Sequence, residues 1–215
     1  MSLLVKICGL STAETVLAAI KGGAAMVGFV FYPPSPRYVT AERAASLVPG
    51  VPSGVDRVGL FVDAEDAAIG AVLEQAPLDL LQLHGSEPPE RVADLRERFG
   101  LPTIKAIKLS APDDLELAAR YDGVADWLLF DAKPPRNMAG VLPGGNGLVF
   151  DWQLLAGRRF QRPWLLSGGL NAENLAEAAK TSGAMAVDVS SGVESAPGKK
   201  DPARIRAFLD VARRL

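Results

Sequence analysis

Short apolar runs that alternate with longer helical segments are the feature that most constrains how this chain folds. Eight such runs, rich in β-branched residues or leucine, recur at roughly even spacing. The predicted strands are 3–8, 26–31, 56–62, 79–84, 103–108, 126–131, 163–167 and 185–190. Because parallel neighbours need a crossover connection, strands that alternate with helices indicate a parallel sheet. Eight units favour a closed (β/α)8 barrel, the TIM-barrel fold, and 215 residues lie near its lower size limit.

The segments between the strands carry helix signals of different strength. Two sets have the i, i+3, i+4, i+7 spacing of a helix with one buried face. They are Ile69, Val72, Leu73 and Ala76, and Ile205, Phe208, Leu209 and Ala212. Ser11 with Glu14 predicts a capping box, and Asn171 predicts another N-cap. The Pro- and Gly-rich segment 132–150 predicts a long loop, followed by only a short sixth helix near 151–156.

An open, doubly wound sheet is the alternative architecture for alternating strands and helices. That fold usually has fewer strands and a GxGxxG turn after the first one. Here the corresponding turn reads CGLST, which favours the barrel. No linker or composition break divides the chain, so we expect one domain over residues 1–215.

Composition limits the kinds of partner that this chain binds. A net charge of −2 indicates neither a nucleic-acid surface nor an anionic-membrane surface. The single cysteine excludes an internal disulfide and a paired-cysteine metal motif. No apolar run is long enough to span a membrane. We therefore expect a cytoplasmic protein that binds a small metabolite.

Strand alternation predicts which polar side chains face the barrel interior. Since all strands of a parallel barrel end at the same mouth, the inward side chains near those ends are expected to converge. They are Lys6, Cys8, Gln82, His84, Asp131 and Asp188. Taken alone, Cys8 is also consistent with an inert buried thiol, and His84 with a structural histidine. One histidine argues against a histidine-based metal site.

Two further residues have side chains suited to catalysis or binding. Asp131 follows three apolar residues, and a low dielectric favours the protonated carboxyl group that a general acid needs. Arg37, in PPSPRYV, is either a solvated loop charge or a fork of donors for a substrate carboxylate.

Two glycine-rich turns predict a phosphate site. LLSGGL carries Gly168 and Gly169 after the seventh strand, and DVSSGVE carries Ser190, Ser191 and Gly192 after the eighth. Glycine lets the backbone approach a ligand and leaves N–H groups for an anion, and barrels usually bind phosphate at these two loops. Ordinary βα turns are the alternative, but their occurrence at adjacent strands favours phosphate. The PGGNG segment at 143–147 is either a mobile lid or a flexible turn.

The order and spacing of several short motifs resemble those of the phosphoribosylanthranilate isomerase family of tryptophan biosynthesis. The motifs are KICGL, GFVFYPPSPRYV, VGLFV, LQLHG, LFDAK, GGNG followed by FDW, SGGL, and DVSSGVE with PGKKD. The resemblance covers essentially the whole chain. It implies an isomerase that converts N-(5′-phosphoribosyl)anthranilate to 1-(2-carboxyphenylamino)-1-deoxyribulose 5-phosphate with neither a metal nor an organic cofactor.

The same resemblance implies roles for individual residues. Asp131 is expected to act as general acid and Cys8 as general base, while Arg37 holds the anthranilate carboxylate. The two glycine-rich turns hold the phosphate. The other residues expected to contact the substrate are Gln82, His84 and Asp188. Monomers and homodimers both suit this fold.

Two functional alternatives stay open from the sequence. One is a related phosphosugar barrel, either the histidine-pathway isomerase or the indole-glycerol-phosphate synthase. The first typically has an aspartate where Cys8 stands, and the second relies on a lysine and glutamates that these strand ends lack. The other alternative is a catalytically silent barrel that only binds a phosphosugar.

Overall fold

Eight parallel strands hydrogen-bond in chain order and close into a barrel in the computed structural model, which describes residues 3–134 and 142–215. Closure is made by β8 pairing with β1. The strands are β1 (Leu4–Cys8), β2 (Met26–Val30), β3 (Asp56–Phe61), β4 (Leu80–Leu83), β5 (Thr103–Leu109), β6 (Trp127–Ala132), β7 (Trp164–Leu166) and β8 (Ala186–Val189). Each strand matches its predicted range to within about one residue at either end, so the (β/α)8 prediction is confirmed.

Helices follow most of the strands and pack around the barrel. They are α1 (Ala13–Gly22), α2 (Ala41–Leu47), α3 (Asp66–Gln75), α4 (Pro89–Phe99), α5 (Asp114–Tyr121), α6 (Leu175–Ser182) and α7 (Pro202–Ala212). A small antiparallel hairpin, β9 (Glu194–Ala196) with β10 (Lys199–Lys200), lies between β8 and α7. Within the described ranges, no helix is both long and apolar enough to cross a membrane.

The predicted short helix between β6 and β7 is present as a 3-10 turn at Trp152–Leu155. Asp151 starts this turn, and its carboxylate accepts a hydrogen bond from the Gln153 N–H at 2.9 Å. In the described part of the connection from β6 to β7 this is the only helical turn, as the Pro- and Gly-rich composition of 132–150 led us to expect.

Side-chain alternation divides the core into two layers, as the strand pattern predicts. Outward residues such as Ile7, Leu81 and Phe130 pack against the helices and are almost completely buried. A smaller cluster, which includes Met26 and Leu129, fills the barrel interior. The helices cover the outer face of the strands and remove their backbone and apolar side chains from water. Burial of the apolar surface stabilises the fold by roughly 25 cal/mol per Å². Most polar residues of the strands lie at the strand ends or on the inner face, and Lys105, on the outer face of β5, is an exception that pairs with Glu87.

Two predicted helix caps are wrong in position. The cap of α1 is Thr12 rather than Ser11, because Thr12 has the extended backbone of an N-cap and its hydroxyl accepts from the Thr15 N–H at 3.3 Å. Asn171 caps the turn that precedes α6 instead of α6 itself, which begins at Leu175. In both places the pattern identified the start of the helical segment but placed the cap too early.

Asp201 is the N-cap of α7, and its replacement tests how much this cap stabilises the fold. Its carboxylate accepts from the N–H groups of Ala203 and Arg204. We expect Asp201→Ala to lower the free energy of unfolding by about 1 kcal/mol in urea denaturation. The matched control is Asp210→Ala on the same helix, at an exposed residue that makes only a surface ion pair. This control should change the free energy of unfolding by less than about 0.5 kcal/mol. Equal losses in the two variants would contradict the capping account.

Candidate active site

A cavity lies at the mouth formed by the carboxyl ends of the strands. It holds about 740 Å³ of empty space, part of it open to solvent, which suits a small-molecule ligand. All of the predicted site residues but Gly192 line it, namely Cys8, Arg37, Gln82, His84, Asp131, Gly168, Gly169, Asp188, Ser190 and Ser191. The strand alternation thus brings together residues that are far apart in the sequence.

Cys8 ends β1 and lies beside a buried ion pair. The ammonium group of Lys6, which is fully buried, donates to the Asp188 carboxylate at 2.8 Å. Gly28, on the neighbouring strand, makes room for both side chains. A Cβ atom at Gly28 would lie 3.1 Å from the Cys8 sulfur and 3.2 Å from the Lys6 nitrogen. The thiol therefore has a cation as a near neighbour.

Burial and charge act in opposite directions on this thiol. Burial raises the pKa of Cys8 above its ordinary value, while the attraction of Lys6 limits the rise. Burial alone would lower the pKa of Lys6, but the attraction of Asp188 and Cys8 outweighs it and the pKa is raised. The ion pair with Asp188 thus favours the charged form of Lys6 beside the thiol. A thiolate formed at Cys8 is a stronger base than an exposed one, because burial raises the pKa of the thiol.

A chain of polar contacts connects Asp131 with β4. The Asp131 carboxylate lies 3.2 Å from Nε2 of His84, and the Gln82 amide nitrogen lies 2.8 Å from Nδ1 of the same ring. With the amide donating to Nδ1, the ring proton sits on Nε2 and faces Asp131. The other Asp131 oxygen accepts the Ala132 N–H at 2.9 Å. Both oxygens of the carboxyl group are thus oriented by the protein.

Arg37 is a buried member of an ion-pair cluster, not a solvated loop charge. Its Nε and Nη2 donate to the two oxygens of Glu194 at 2.7 and 2.9 Å, and Nη2 also donates to the Gly145 carbonyl. The Lys200 ammonium donates to the same glutamate at 2.6 Å. Burial lowers the pKa of Lys200 to about 8, although Glu194 opposes the change. No pattern in the sequence indicated that Glu194 and Lys200 would join Arg37 in this cluster.

The two glycine-rich turns adopt backbone conformations that a side chain would disturb. Gly168 and Gly169 have positive φ values of 89° and 60°. A Cβ atom at Gly192 would collide with the Leu170 carbonyl, so the turns after β7 and β8 pack against each other. The N–H groups of Gly168, Gly169, Ser191 and Gly192 donate to no other group within residues 3–134 and 142–215. This arrangement suits an anion.

The PGGNG segment lies over the cavity mouth. A Cβ atom at Gly144 would lie 2.4 Å from Nε2 of His84, and one at Gly145 would lie 2.5 Å from Nη1 of Arg37. The segment therefore packs directly against two site residues. Whether it opens as a lid stays a prediction, and the part of the long loop at 135–141 lies outside the described residues.

A second buried ion pair, which the sequence did not indicate, supports the strand end that carries His84. The Lys105 ammonium, outside the barrel, donates to Glu87 at 2.6 Å and to the Gly85 carbonyl at 2.8 Å. Glu87 in turn accepts from the N–H groups of Asp63 and Gly85. These bonds fix the loop that follows His84 and connect it to the loop after β3.

Within the described ranges, no group of three or more His, Cys, Asp or Glu side chains is placed to share a metal ion. The independence of the reaction from metals and organic cofactors stays a prediction.

The barrel, its glycine-rich turns after β7 and β8, and a thiol and a carboxyl group in one cavity are typical of the class of phosphate-binding (β/α)8 enzymes. The family model described as N-(5'phosphoribosyl)anthranilate (PRA) isomerase matches residues 5–211. The chain belongs to this family.

Relatives of known name and structure agree with this assignment. The N-(5'-phosphoribosyl)anthranilate isomerase of Parvibaculum lavamentivorans is 56% identical over 214 residues, with both chains covered completely. The crystal structure of phosphoribosyl anthranilate isomerase from Thermotoga maritima has 41% identity and a TM-score of 0.88, with 99% of this chain and 100% of that chain covered. A phosphoribosyl anthranilate isomerase in complex with reduced 1-(o-carboxyphenylamino)-1-deoxyribulose 5-phosphate has 40% identity, a TM-score of 0.85 and the same coverage.

Removal of the Lys6–Asp188 pair tests the effect of the neighbouring cation on the thiol. Lys6 lowers the pKa of Cys8 and Asp188 raises it, with Lys6 the larger of the two influences. Alkylation of Cys8 by iodoacetamide becomes faster as the thiol loses its proton. In Lys6→Met/Asp188→Asn, we therefore expect this increase in rate to occur at a higher pH than in the unmodified protein. The double variant avoids leaving either charge buried without its partner.

The matched control is Lys21→Met, at an exposed lysine of α1, which should leave the pH profile of alkylation unchanged. Mass spectrometry follows the reaction at the single cysteine. A shift of the double variant to lower pH would contradict the role of Lys6.

Proposed function

We propose that this chain catalyses the Amadori rearrangement of N-(5′-phosphoribosyl)anthranilate to 1-(2-carboxyphenylamino)-1-deoxyribulose 5-phosphate, a step of tryptophan biosynthesis. The observation that carries the proposal is the position of Cys8 and Asp131 in one cavity with Arg37 and two glycine-rich turns. The family match supports the same reaction.

The substrate is held at its two non-reacting ends. Arg37 lines the cavity and binds the anthranilate carboxylate with a charged donor. The turns at Gly168–Gly169 and Ser190–Gly192 bind the phosphate with backbone N–H groups. Gln82, His84 and Asp188 line the space between these ends. Fixing both ends places the sugar carbons beside the acid and the base, which lowers the entropic part of the barrier.

Asp131 performs the acid step. In its protonated form it donates to the furanose ring oxygen, the bond from that oxygen to C1′ breaks, and the anthranilate nitrogen forms a Schiff base with C1′. His84 and the Ala132 N–H hold the carboxyl group in position for this transfer. General acid catalysis of this kind contributes about 10²–10⁴-fold to the rate.

Cys8 performs the base step. Its thiolate removes the proton from C2′, the electron pair forms the C1′–C2′ double bond, and the electrons of the Schiff base return to nitrogen to give an enolamine. The enolamine gains a proton at C1′ and loses the proton of its C2′ hydroxyl group, which yields the ketone. The reaction is an isomerisation because every proton removed is balanced by one returned. Lys6 stabilises the thiolate while the base is charged.

The remaining expectations on organisation belong to the same proposal. The chain acts in the cytoplasm, as a monomer or homodimer, and forms one domain over 1–215. The placement of β1 to β8 around one barrel supports the single domain, and a net charge of −2 is not typical of a nucleic-acid-binding surface. Its partner is a small phosphosugar and not a nucleic acid or a membrane.

A barrel that binds the phosphosugar without converting it is the second candidate. The buried Lys6–Asp188 pair beside Cys8 favours an enzyme, because a binding protein has no use for a cation that stabilises a thiolate. The related histidine-pathway isomerase and indole-glycerol-phosphate synthase are tested by offering their substrates in competition.

Turnover of freshly generated phosphoribosylanthranilate, followed by the loss of its fluorescence, tests the reaction and the acid together. We expect the unmodified protein to be active and Asp131→Asn to lose about 10²–10⁴-fold in kcat, since the amide has no acidic proton. The matched control is Asp210→Asn, an exposed surface residue that should keep full activity. A folded but silent unmodified protein would contradict the function. Near-normal turnover by Asp131→Asn would exclude Asp131 as the acid.

A further inference from the structure

We propose that Glu194 and Lys200 are positioning residues that make this site selective for a substrate bearing a carboxylate. Glu194 fixes the orientation of the Arg37 fork, and Lys200 supplies the positive charge that Glu194 would otherwise cancel. The inference rests on the proposed function, in which Arg37 binds the anthranilate carboxylate.

Glu194 is surrounded by donors and pairs with Arg37, which lines the cavity. Its carboxylate accepts from Nε and Nη2 of Arg37, from the Lys200 ammonium and from the Gly198 N–H at 3.2 Å. The side chains of Arg37, Glu194 and Lys200 are all almost completely buried. A guanidinium group bound by two parallel hydrogen bonds is held in one plane. Glu194 therefore sets the direction in which the rest of the Arg37 fork points.

The charges of this cluster explain why the lysine is needed. Arg37 and Glu194 together form a neutral pair, which offers little net attraction to a second carboxylate. Lys200 brings the cluster of two cations and one anion to a net charge of +1. Nη1 of Arg37, which donates to no group in the described part of the chain, is the donor that remains for a ligand. The cluster thus has one unmatched positive charge at the cavity.

The hairpin β9–β10 is built to hold this cluster against the cavity wall. Gly198, at its turn, has a φ of +77°, and a Cβ atom there would lie 2.3 Å from the Pro36 carbonyl. The turn therefore packs on the backbone next to Arg37. Lys200 also donates to the Ser190 hydroxyl at 3.0 Å, and that hydroxyl donates to the Cys8 carbonyl. One lysine thus connects the carboxylate end, the phosphate turn and the strand that carries the base.

If the surplus charge serves the substrate carboxylate, its loss weakens the binding of a probe that carries a carboxylate and not the binding of a neutral probe. Two aromatic ring compounds distinguish a selective loss of carboxylate binding from a general loss of binding to the site. Anthranilate has the carboxylate, and 2-aminobenzamide has a neutral amide in the same place. The ratio of their dissociation constants, measured by ligand-observed NMR, is the selectivity for the carboxylate. This readout does not depend on turnover.

The experiment compares Lys200→Met with Glu194→Gln/Lys200→Met. Lys200→Met leaves the neutral pair, so we expect anthranilate to bind roughly tenfold more weakly while 2-aminobenzamide is unaffected. We expect the KM for phosphoribosylanthranilate to rise by a similar factor, with a smaller fall in kcat because the charge of Lys200 also lowers the pKa of Cys8. The double variant has only the Arg37 charge, which restores the net charge of +1. The glutamine amide oxygen can still accept one of the two hydrogen bonds that Arg37 gives to Glu194, so the orientation of the fork is kept only in part. Anthranilate binding should therefore recover part of the loss.

Arg37→Ala provides the reference, because it should abolish the preference for anthranilate over 2-aminobenzamide. A merely structural role for Lys200 gives the opposite pattern, with the double variant binding anthranilate as weakly as Lys200→Met or more weakly, and that result would overturn the proposal. An equal loss of both probes in Lys200→Met would also overturn it. If Lys200→Met fails to fold, Lys200→Gln removes the same charge, keeps a polar side chain and should give the same selective loss.

Failure of this inference is distinguishable from failure of the proposed function. An unmodified protein that converts phosphoribosylanthranilate, together with a Lys200→Met variant of unchanged selectivity, would contradict only the inference. An unmodified protein that does not convert it would contradict the function, while the binding ratios would still test the role of the cluster.

Discussion

The pairing of the first strand with the last is the interaction on which the rest of this site depends. Its register sets Lys6 beside Asp188, residues that are 182 positions apart in the chain. A fully buried ammonium group without a partner would be strongly destabilising, so closure of the barrel and ionisation of Lys6 depend on each other. The same closure lets the Ser190 hydroxyl donate to the Cys8 carbonyl and so connects the turn after β8 to the end of β1.

Three groups of buried charged side chains surround the cavity, and together they hold its loops in fixed positions. Lys6 pairs with Asp188 inside the barrel, Lys105 with Glu87 behind the end of β4, and Glu194 with two cations beside the Arg37 loop. Removing one partner of a buried pair typically costs about 3–5 kcal/mol, since the remaining charge is left in a low dielectric. The loops that carry His84, Arg37 and Ser190 are therefore fixed before a substrate arrives, which is what an acid and a base at set positions require.

The sequence alone predicted the strands, their inward faces and the convergence of Cys8 and Asp131. The alternation of residues along each strand shows which side chains face inward, and all strands of a parallel barrel end at the same mouth. It placed the α1 cap one residue early, since Ser11 and Thr12 are equally suited to the role by residue type. It could not identify Glu194 as the partner of Arg37, because the two are 157 positions apart and meet only through the packing of a hairpin on a loop. Pairings of this kind depend on tertiary placement, and no local pattern encodes them.

The proposed removal of the C2′ proton by Cys8 is best tested by comparing the turnover of phosphoribosylanthranilate by Cys8→Ser with that of the unmodified protein. Serine keeps the shape of the site but is a far weaker acid than cysteine, so its alkoxide is not formed at neutral pH. We expect kcat to fall by about 10²–10⁴-fold while the product analogue named in the related complex still binds. A Cys8→Ser variant that turns over substrate at nearly the original rate would contradict it and would require another base in the cavity.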